Sequence, residues 1–488
     1  MADSNVTLKE FVKSSAILTV ANVILKAMNF FLLPLYTKYL APADIGISDS
    51  VTNLMSFIYP ILVLGFDSAF SAFYFAKEDP ARCHKVYRIV RRVTFVSSAF
   101  MILILILSGR ISYWLFGTDA YRIAVIIAAF TVVFELWTLS DALDVRLENR
   151  MTIYGLITVV TSAVMLGSNI LLVAVLKQGY ISLIVSACLA NFVRMVMFRA
   201  AAGRKERTLF DRELFREMIR YALPMVPMVV VGWVLTFSDR YILLYFWDES
   251  VVGLYGIAQR FANVLNIVVS SVAIAFTTFA FSNVEGDGAK EKYRMVLNYV
   301  FITLQIMVIF IATFARPIIE IMTKPAYHEA YVLVQPLMYG QLLYCISTII
   351  RYGFAYTKKS YLNLIPTGAA AILNVVLNFI LVPKYGAYAA TLTTLVSYLV
   401  MTVLVEILSN KVYPCKYDIG KIFAVMAVGY VLSYVTRDMS YIAQIASFLV
   451  QAAAMYAIFR RSRRLCSGRR LSAQSSRPLQ GQERTLHR

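Results

Sequence analysis

Between Ser14 and Phe459 the chain returns again and again to apolar stretches of 18 or more residues, parted by short charged connectors. A helix of that length covers roughly 30 Å, the thickness of a bilayer's hydrocarbon core. The stretches are continuous rather than alternating, which excludes the strands of a membrane barrel. With 59% hydrophobic residues, 15% charged residues and a mean hydropathy of +0.68, the chain reads as an all-α integral membrane protein.

Fourteen spans are predicted. The first six are Ser14–Leu35, Ser48–Phe66, Val93–Ser108, Ala120–Ser140, Met151–Leu176 and Tyr180–Phe198. The next six are Tyr221–Phe246, Val252–Phe281, Tyr293–Phe314, Tyr331–Ile350, Tyr361–Val382 and Ala387–Leu408, and Ile419–Val435 and Tyr441–Phe459 complete the set. The start MADSNVTLKEFVK has mixed charge and no small-residue cleavage pattern follows the first span, so that span is expected to be retained.

The net charge of +19 invites a nucleic-acid reading, but its placement argues otherwise. With the N-terminus inside, cytoplasmic segments hold 35 Lys and Arg and external ones 8, the asymmetry of the positive-inside rule. Both termini are then cytoplasmic, and the dense blocks Arg199–Arg220 and RRSRRLCSGRR suit an anionic inner leaflet, with no nucleic acid as partner. No cysteine falls in an external loop, so no disulfide framework is implied.

An internal repeat runs through the chain at an offset of 207: Lys13 on Arg220, Gly46 on Gly253, Tyr154 on Tyr361, Lys177 on Lys384, Gly179 on Gly386. Each unit holds an even number of spans, so both enter the membrane in one direction, as in transporters that rock two lobes about a midplane site. The expected organisation is an N-terminal lobe over 1–200, an amphipathic cytoplasmic connector over 201–220, a C-terminal lobe over 221–408, two further helices over 409–459 and a basic, disordered tail over 460–488. The connector, with Leu209, Phe210, Leu214, Phe215 and Met218 on one side, reads as an interfacial amphipathic helix.

Polar residues fall in stripes inside these apolar helices. Ser15, Thr19, Asn22, Lys26 and Asn29 share one face of the first, and a charge such as Lys26 at mid-membrane costs roughly 2.5–3.5 kcal/mol unless it meets water or a partner. Asp49, Asn53 and Ser56 line the second, and Gln259, Asn263, Asn266 and Ser270, with Arg260 beside them, line the eighth. Gln341, Tyr344, Thr348 and Arg351 lie in the tenth; Asn363, Thr367, Asn374 and Asn378 lie in the eleventh. Such residues also bind membrane helices together, but four stripes at once favour a cavity. Intramembrane carboxylates are few: Glu135, Asp67 and Asp239, candidates with Arg240 for proton or sodium coupling or for gating, or else counter-ions for Lys26 or Arg194. Asp239 and Arg240 are adjacent, so on a helix they point about 100° apart and each needs its own partner.

Three stretches carry a family resemblance: LPMVPMVVVGWVLTFSDRYIL, VGLYGIAQRFANVL and LNVVLNFILVPKYGAYAATLTTLVSY; an earlier one, LGFDSAFSAFYFAKED, fits too. The chain resembles the Wzx-type oligosaccharide flippases, polysaccharide biosynthesis proteins of the multidrug/oligosaccharidyl-lipid/polysaccharide exporter superfamily. The resemblance implies a bacterial cytoplasmic (inner) membrane protein that moves an undecaprenyl-diphosphate-linked oligosaccharide between leaflets for O-antigen, capsule or exopolysaccharide export. It implies a cationic cavity, membrane lipids and the lipid-linked oligosaccharide as partners, and association with a polysaccharide polymerase and a chain-length regulator. On that reading Lys26 and Arg260 hold the phosphates, with Arg351 third, and Asn22, Asn29, Asn53, Gln259, Asn263, Asn374 and Asn378 face the sugars. The alternative is an ion-coupled multidrug exporter of the same superfamily. An enzyme is disfavoured: the three histidines His84, His328 and His487 are scattered, and no metal-ligand cluster or long external loop stands near the outer face.

Overall fold

In the computed structural model the described residues are 32–74, 80–203, 210–282, 289–357, 359–415 and 417–455. No strand occurs among them. The stripe of the first predicted span, with Asn22, Lys26 and Asn29, lies outside the described residues, as does the tail from 456.

The first set of helices comprises α1 (Leu33–Tyr39), α2 (Pro42–Val63), α3 (Phe66–Tyr74), α4 (Pro80–Ser98), α5 (Phe100–Ile106), α6 (Ser108–Phe116), α7 (Arg122–Leu147), α8 (Met151–Asn169) and α9 (Ile181–Ala202). The second set follows α10 (Arg212–Ala222): α11 (Val226–Phe246), α12 (Glu249–Ser282), α13 (Ala289–Thr313), α14 (Ala315–Met322), α15 (Tyr331–Ile350), α16 (Tyr352–Tyr356), α17 (Leu364–Val412), α18 (Ile419–Thr436) and α19 (Tyr441–Met455). Nine helices among the described residues are long and apolar enough to cross a membrane, or ten if α2 and α3, bent by 43° at Leu64–Gly65, count as one span. The chain is a multi-pass membrane protein.

Several boundaries differ from expectation for local reasons. α2 starts at Pro42 rather than Ser48, because Pro is preorganised for a first turn and the Asp44 carboxylate caps the Ala41 N–H at 2.9 Å. α4 begins at Pro80, carrying the basic CHKVYRIVRR segment as helix ahead of the apolar run. The two spans predicted over 361–382 and 387–408 are two helices within α17, joined end to end by a kink at the non-helical Gly386. Gly386 and its repeat mate Gly179 both hold a left-handed φ (57° and 61°), the conformation glycine tolerates and other residues resist.

Within the first set, α7 packs on α9 and α4, and α9 on α8. Within the second, α15 packs on α17, α12 and α13, and α11 on α17. α15 is the helix most wrapped by protein, so its Gln335 and Gln341 are buried among neighbours rather than facing lipid. Outward faces are apolar, with Trp114, Ile106 and Ile442 all exposed, as lipid requires of a helix whose backbone bonds are already made.

The connector is corrected by its packing. α10 begins at Arg212 with Asp211 as its N-cap, and its apolar face (Leu214, Met218, Ala222) is buried against Phe66, Phe70, Tyr87 and Val90 of the first set rather than laid in lipid. Lys85 and Arg82 reach Asp211 and Glu217 at 3.4 and 3.7 Å, and strap it there.

Candidate functional site

The two sets meet where α2 crosses α12. A Cβ on Gly46 would stand 1.8 Å from the Glu249 carbonyl oxygen, and one on Gly253 would stand 2.0 Å from that of Pro42. Only glycine lets two helix backbones come so close. Pro42 and Glu249 are 207 residues apart, as are Gly46 and Gly253, so the contact maps onto itself under the repeat. That is the geometry of an isologous interface. Around it, Tyr241 donates to the Ser50 carbonyl at 3.0 Å, Trp233 Nε1 to Ser56 Oγ at 3.1 Å, and Tyr327 to the Leu40 carbonyl at 3.0 Å, each bond joining one set to the other.

Charge enters one turn further along α2 and two turns further along α12. Arg260 Nη2 lies 3.3 Å from Asp49 Oδ1, both side chains about four-fifths buried, and the guanidinium sits 5.4 Å from the Tyr36 ring centroid. Beyond Arg260 a polar ladder follows α12: Gln259 donates to Asn263 at 3.5 Å, Asn266 to Asn263 at 3.2 Å, and Gln341 to Asn266 at 2.8 Å. Asn263 is exposed and Gln259 partly so; Asn53 is half-buried on the facing stretch of α2, where its carbonyl accepts from Ser56.

A second centre is closed. Asp239 is 1% exposed and accepts from Tyr255 OH at 2.6 Å, Thr394 Oγ1 at 2.7 Å and Asn378 Nδ2 at 2.6 Å. Asn378 in turn accepts from Thr393 and donates to Asn374, which accepts from Ser238. Asn374 and Asn378, expected to face sugars, are thus fully buried in this cluster, bonded around the carboxylate. Arg240 points elsewhere, between the rings of Phe237 and Tyr255 at 5.3 and 5.5 Å, and its Nε and Nη1 have no hydrogen-bond partner among the described residues. All of Asp239's partners lie within the second set. Arg351 also stays there, stacked near Tyr344 and touching Met401 Sδ at 2.9 Å.

Glu135 faces a cavity of about 100 Å³ inside the first set, which it shares with Tyr59, Thr138, Arg146, Tyr154 and Arg194. Asp67 is exposed in the first turn of α3, just past the bend at Leu64–Gly65, where the helix N-terminus favours a carboxylate. No group of three or more His, Cys, Asp or Glu side chains that could hold a metal occurs among the described residues.

A model of the polysaccharide biosynthesis protein family matches residues 36–332. This chain belongs to that family. The matched region holds Asp49, Asp239 and Arg260 and stops short of Asn374. An uncharacterized membrane protein, MJ1068 of Methanocaldococcus jannaschii, is 26% identical over 233 residues, 46% of this chain, and the match spans 45% of that relative's length. Among solved structures, the lipid II flippase MurJ in an inward closed conformation is similar over 91% of this chain and 98% of its own, with TM-score 0.69 and 17% identity. A multidrug resistance MATE family transporter of the MOP superfamily, in an inward-facing conformation, is similar over 82% and 95%, with TM-score 0.62 and 15% identity. The fold of this polysaccharide biosynthesis family member is therefore the one those two share.

Several residues that shape these centres escaped the sequence reading. Tyr255, Thr393 and Thr394 complete the shell of Asp239, and the only signal for the threonines was the polar pair inside TLTTLVSY. At the far end of α7, Asp141 accepts from Tyr87 and pairs with Arg199 at 3.5 Å, a cluster hidden by its closeness to the basic connectors.

Proposed function

We propose that this protein is a flippase that carries an undecaprenyl-diphosphate-linked oligosaccharide from the inner to the outer leaflet by alternating access between two lobes, residues 1–200 and 221–408. The observation that carries the reading is Arg260: a cation held where the two sets meet, at the head of a ladder of Gln259, Asn263 and Asn266. A diphosphate needs a guanidinium and sugar hydroxyls need amides, and α12 offers them in sequence. Lys26 is proposed as the second phosphate ligand, and Asn22, Asn29 and Asn53 as residues that bind the sugars. The Asp239 cluster, with Asn374 and Asn378 in its shell, is proposed as the ion-coupling or gating centre, and Glu135 as a second one. Family membership and the likeness to MurJ support the flippase class. The proposed setting is a bacterial cytoplasmic membrane with both termini inside, and a polymerase and a chain-length regulator as neighbours.

Deleting the gene is expected to leave lipid-linked oligosaccharide on the cytoplasmic leaflet. Arg260→Ala should fail to restore export, with substrate affinity down by roughly ten- to a hundredfold for the loss of one charged hydrogen-bonding group. Normal surface glycan together with new drug sensitivity would instead establish the multidrug exporter, the class named for the MATE neighbour.

A further inference from the structure

The repeat that makes the α2–α12 crossing symmetric fails at one place. The offset of 207 sends Asp49 to Gly256 and Arg260 to Asn53, so the symmetric contact carries one ion pair where a true dimer would carry two or none. The pair is also fitted. A Cβ on Gly256 would stand 2.5 Å from Asp49 Oδ2, so the bare glycine is the notch in which the carboxylate sits. The Tyr36 ring covers the guanidinium on another side. Asp49 belongs to one set, one turn past Gly46, and Arg260 to the other, two turns past Gly253.

We propose that Asp49 is the resident occupant of the phosphate site: its carboxylate holds Arg260 and latches the two sets together until a cargo diphosphate displaces it. The proposal rests on the cargo reading given above. Asp49 brings one negative charge and a single contact at 3.3 Å to the guanidinium; a diphosphate brings more charge and can accept from two of its N–H groups at once, and so wins the exchange. Once phosphate oxygens stand at Arg260, Asp49 faces like charge at short range and must leave the notch, and α2 loses its polar hold on α12. Opening at this end then depends on cargo. By linkage, whatever the latch contributes to closure is subtracted from cargo binding, so removing the latch should tighten binding as it loosens closure.

The test uses the full chain, freed of its native cysteines, in nanodiscs, with Ser50→Cys as reporter. Ser50 is fully buried beside Asp49, its hydroxyl has no partner among the described residues, and its carbonyl bridges the sets through Tyr241. Labelling by an impermeant maleimide is read with no lipid, with undecaprenyl diphosphate and with undecaprenol. The wild type is expected to label slowly, to label at least fivefold faster with the diphosphate, and to ignore the alcohol. Asp49→Asn should label at the fast rate without any lipid, gain nothing from the diphosphate and bind it several-fold more tightly. Arg260→Gln should also label fast but bind the diphosphate poorly, which separates the latch from a generally loosened fold. Slow labelling in both variants while the wild type responds to the diphosphate overturns the latch and leaves the cargo reading standing. Fast labelling in both variants while the wild type ignores the diphosphate overturns the displacement, and the diphosphate cargo falls with it.

Discussion

A carboxylate survives in a membrane interior only where donors replace the water it has lost, and Asp239 has three of them, from Tyr255, Thr394 and Asn378. Asp239→Ala should therefore destabilise the protein by about 3–5 kcal/mol, since it orphans three buried donors at once. Thermal unfolding in detergent measures this, and an unchanged midpoint would mean that the cluster relaxes freely. The presence of a charge in this apolar run was legible in FSDRYILLYF, and so was its divergence from Arg240. Its partners were not legible, because Asn378 and Thr394 stand 139 and 155 residues away and nothing local announces them. The same limit applied to Asp49: its stripe was visible, but the crossing that brings it to Arg260 comes from tertiary structure.

At the scale of elements, α10 shows how a short helix is fixed at both ends of its chemistry. The Leu214 N–H, and after it Lys85, hold the Asp211 carboxyl below its ordinary value. The cap is therefore fully formed at neutral and mildly acidic pH, and its contribution is lost as the pH falls through the lowered value of Asp211, beneath the ordinary aspartate range. The hydrogen-exchange protection factor over 212–222 should be flat from pH 5 to 8, whereas Asp211→Ala, removing about 1 kcal/mol of capping, should lower it roughly fivefold throughout. The α2–α12 crossing is less forgiving. Gly46→Leu would drive a side chain into the Glu249 backbone, and the helices must separate. Ser50→Cys in that background should label without any lipid, and slow labelling would show that the crossing can slide. That the chain is a bundle of long apolar helices was legible from hydropathy, because lipid requires each span to make its own backbone bonds. The face that α10 buries was read as membrane-bound, because an amphipathic pattern says that a face is covered without saying by what.

For the molecule as a whole, the proposal of rocking lobes makes the contacts between sets temporary. Ser56→Cys and Trp233→Cys, whose native side chains meet at 3.1 Å, should accept a short bifunctional thiol cross-linker and stop export, and a cleavable linker should restore it on reduction. Export continuing through the cross-link would show that these helices move as one body. The repeat was legible as a steady offset, and it foretold that related residues would occupy related places. It could not foretell that Gly46 and Gly253 would meet each other, which depends on how the two sets dock rather than on either alone.

The crossing at Gly46 and Gly253 treats both halves alike, yet Asp49 and Arg260 do not. α12 therefore brings a cation to this junction and α2 a carboxylate. The polarity of the pair gives an otherwise twofold crossing a left and a right, so that on the proposed cargo reading a charged head is turned one way only.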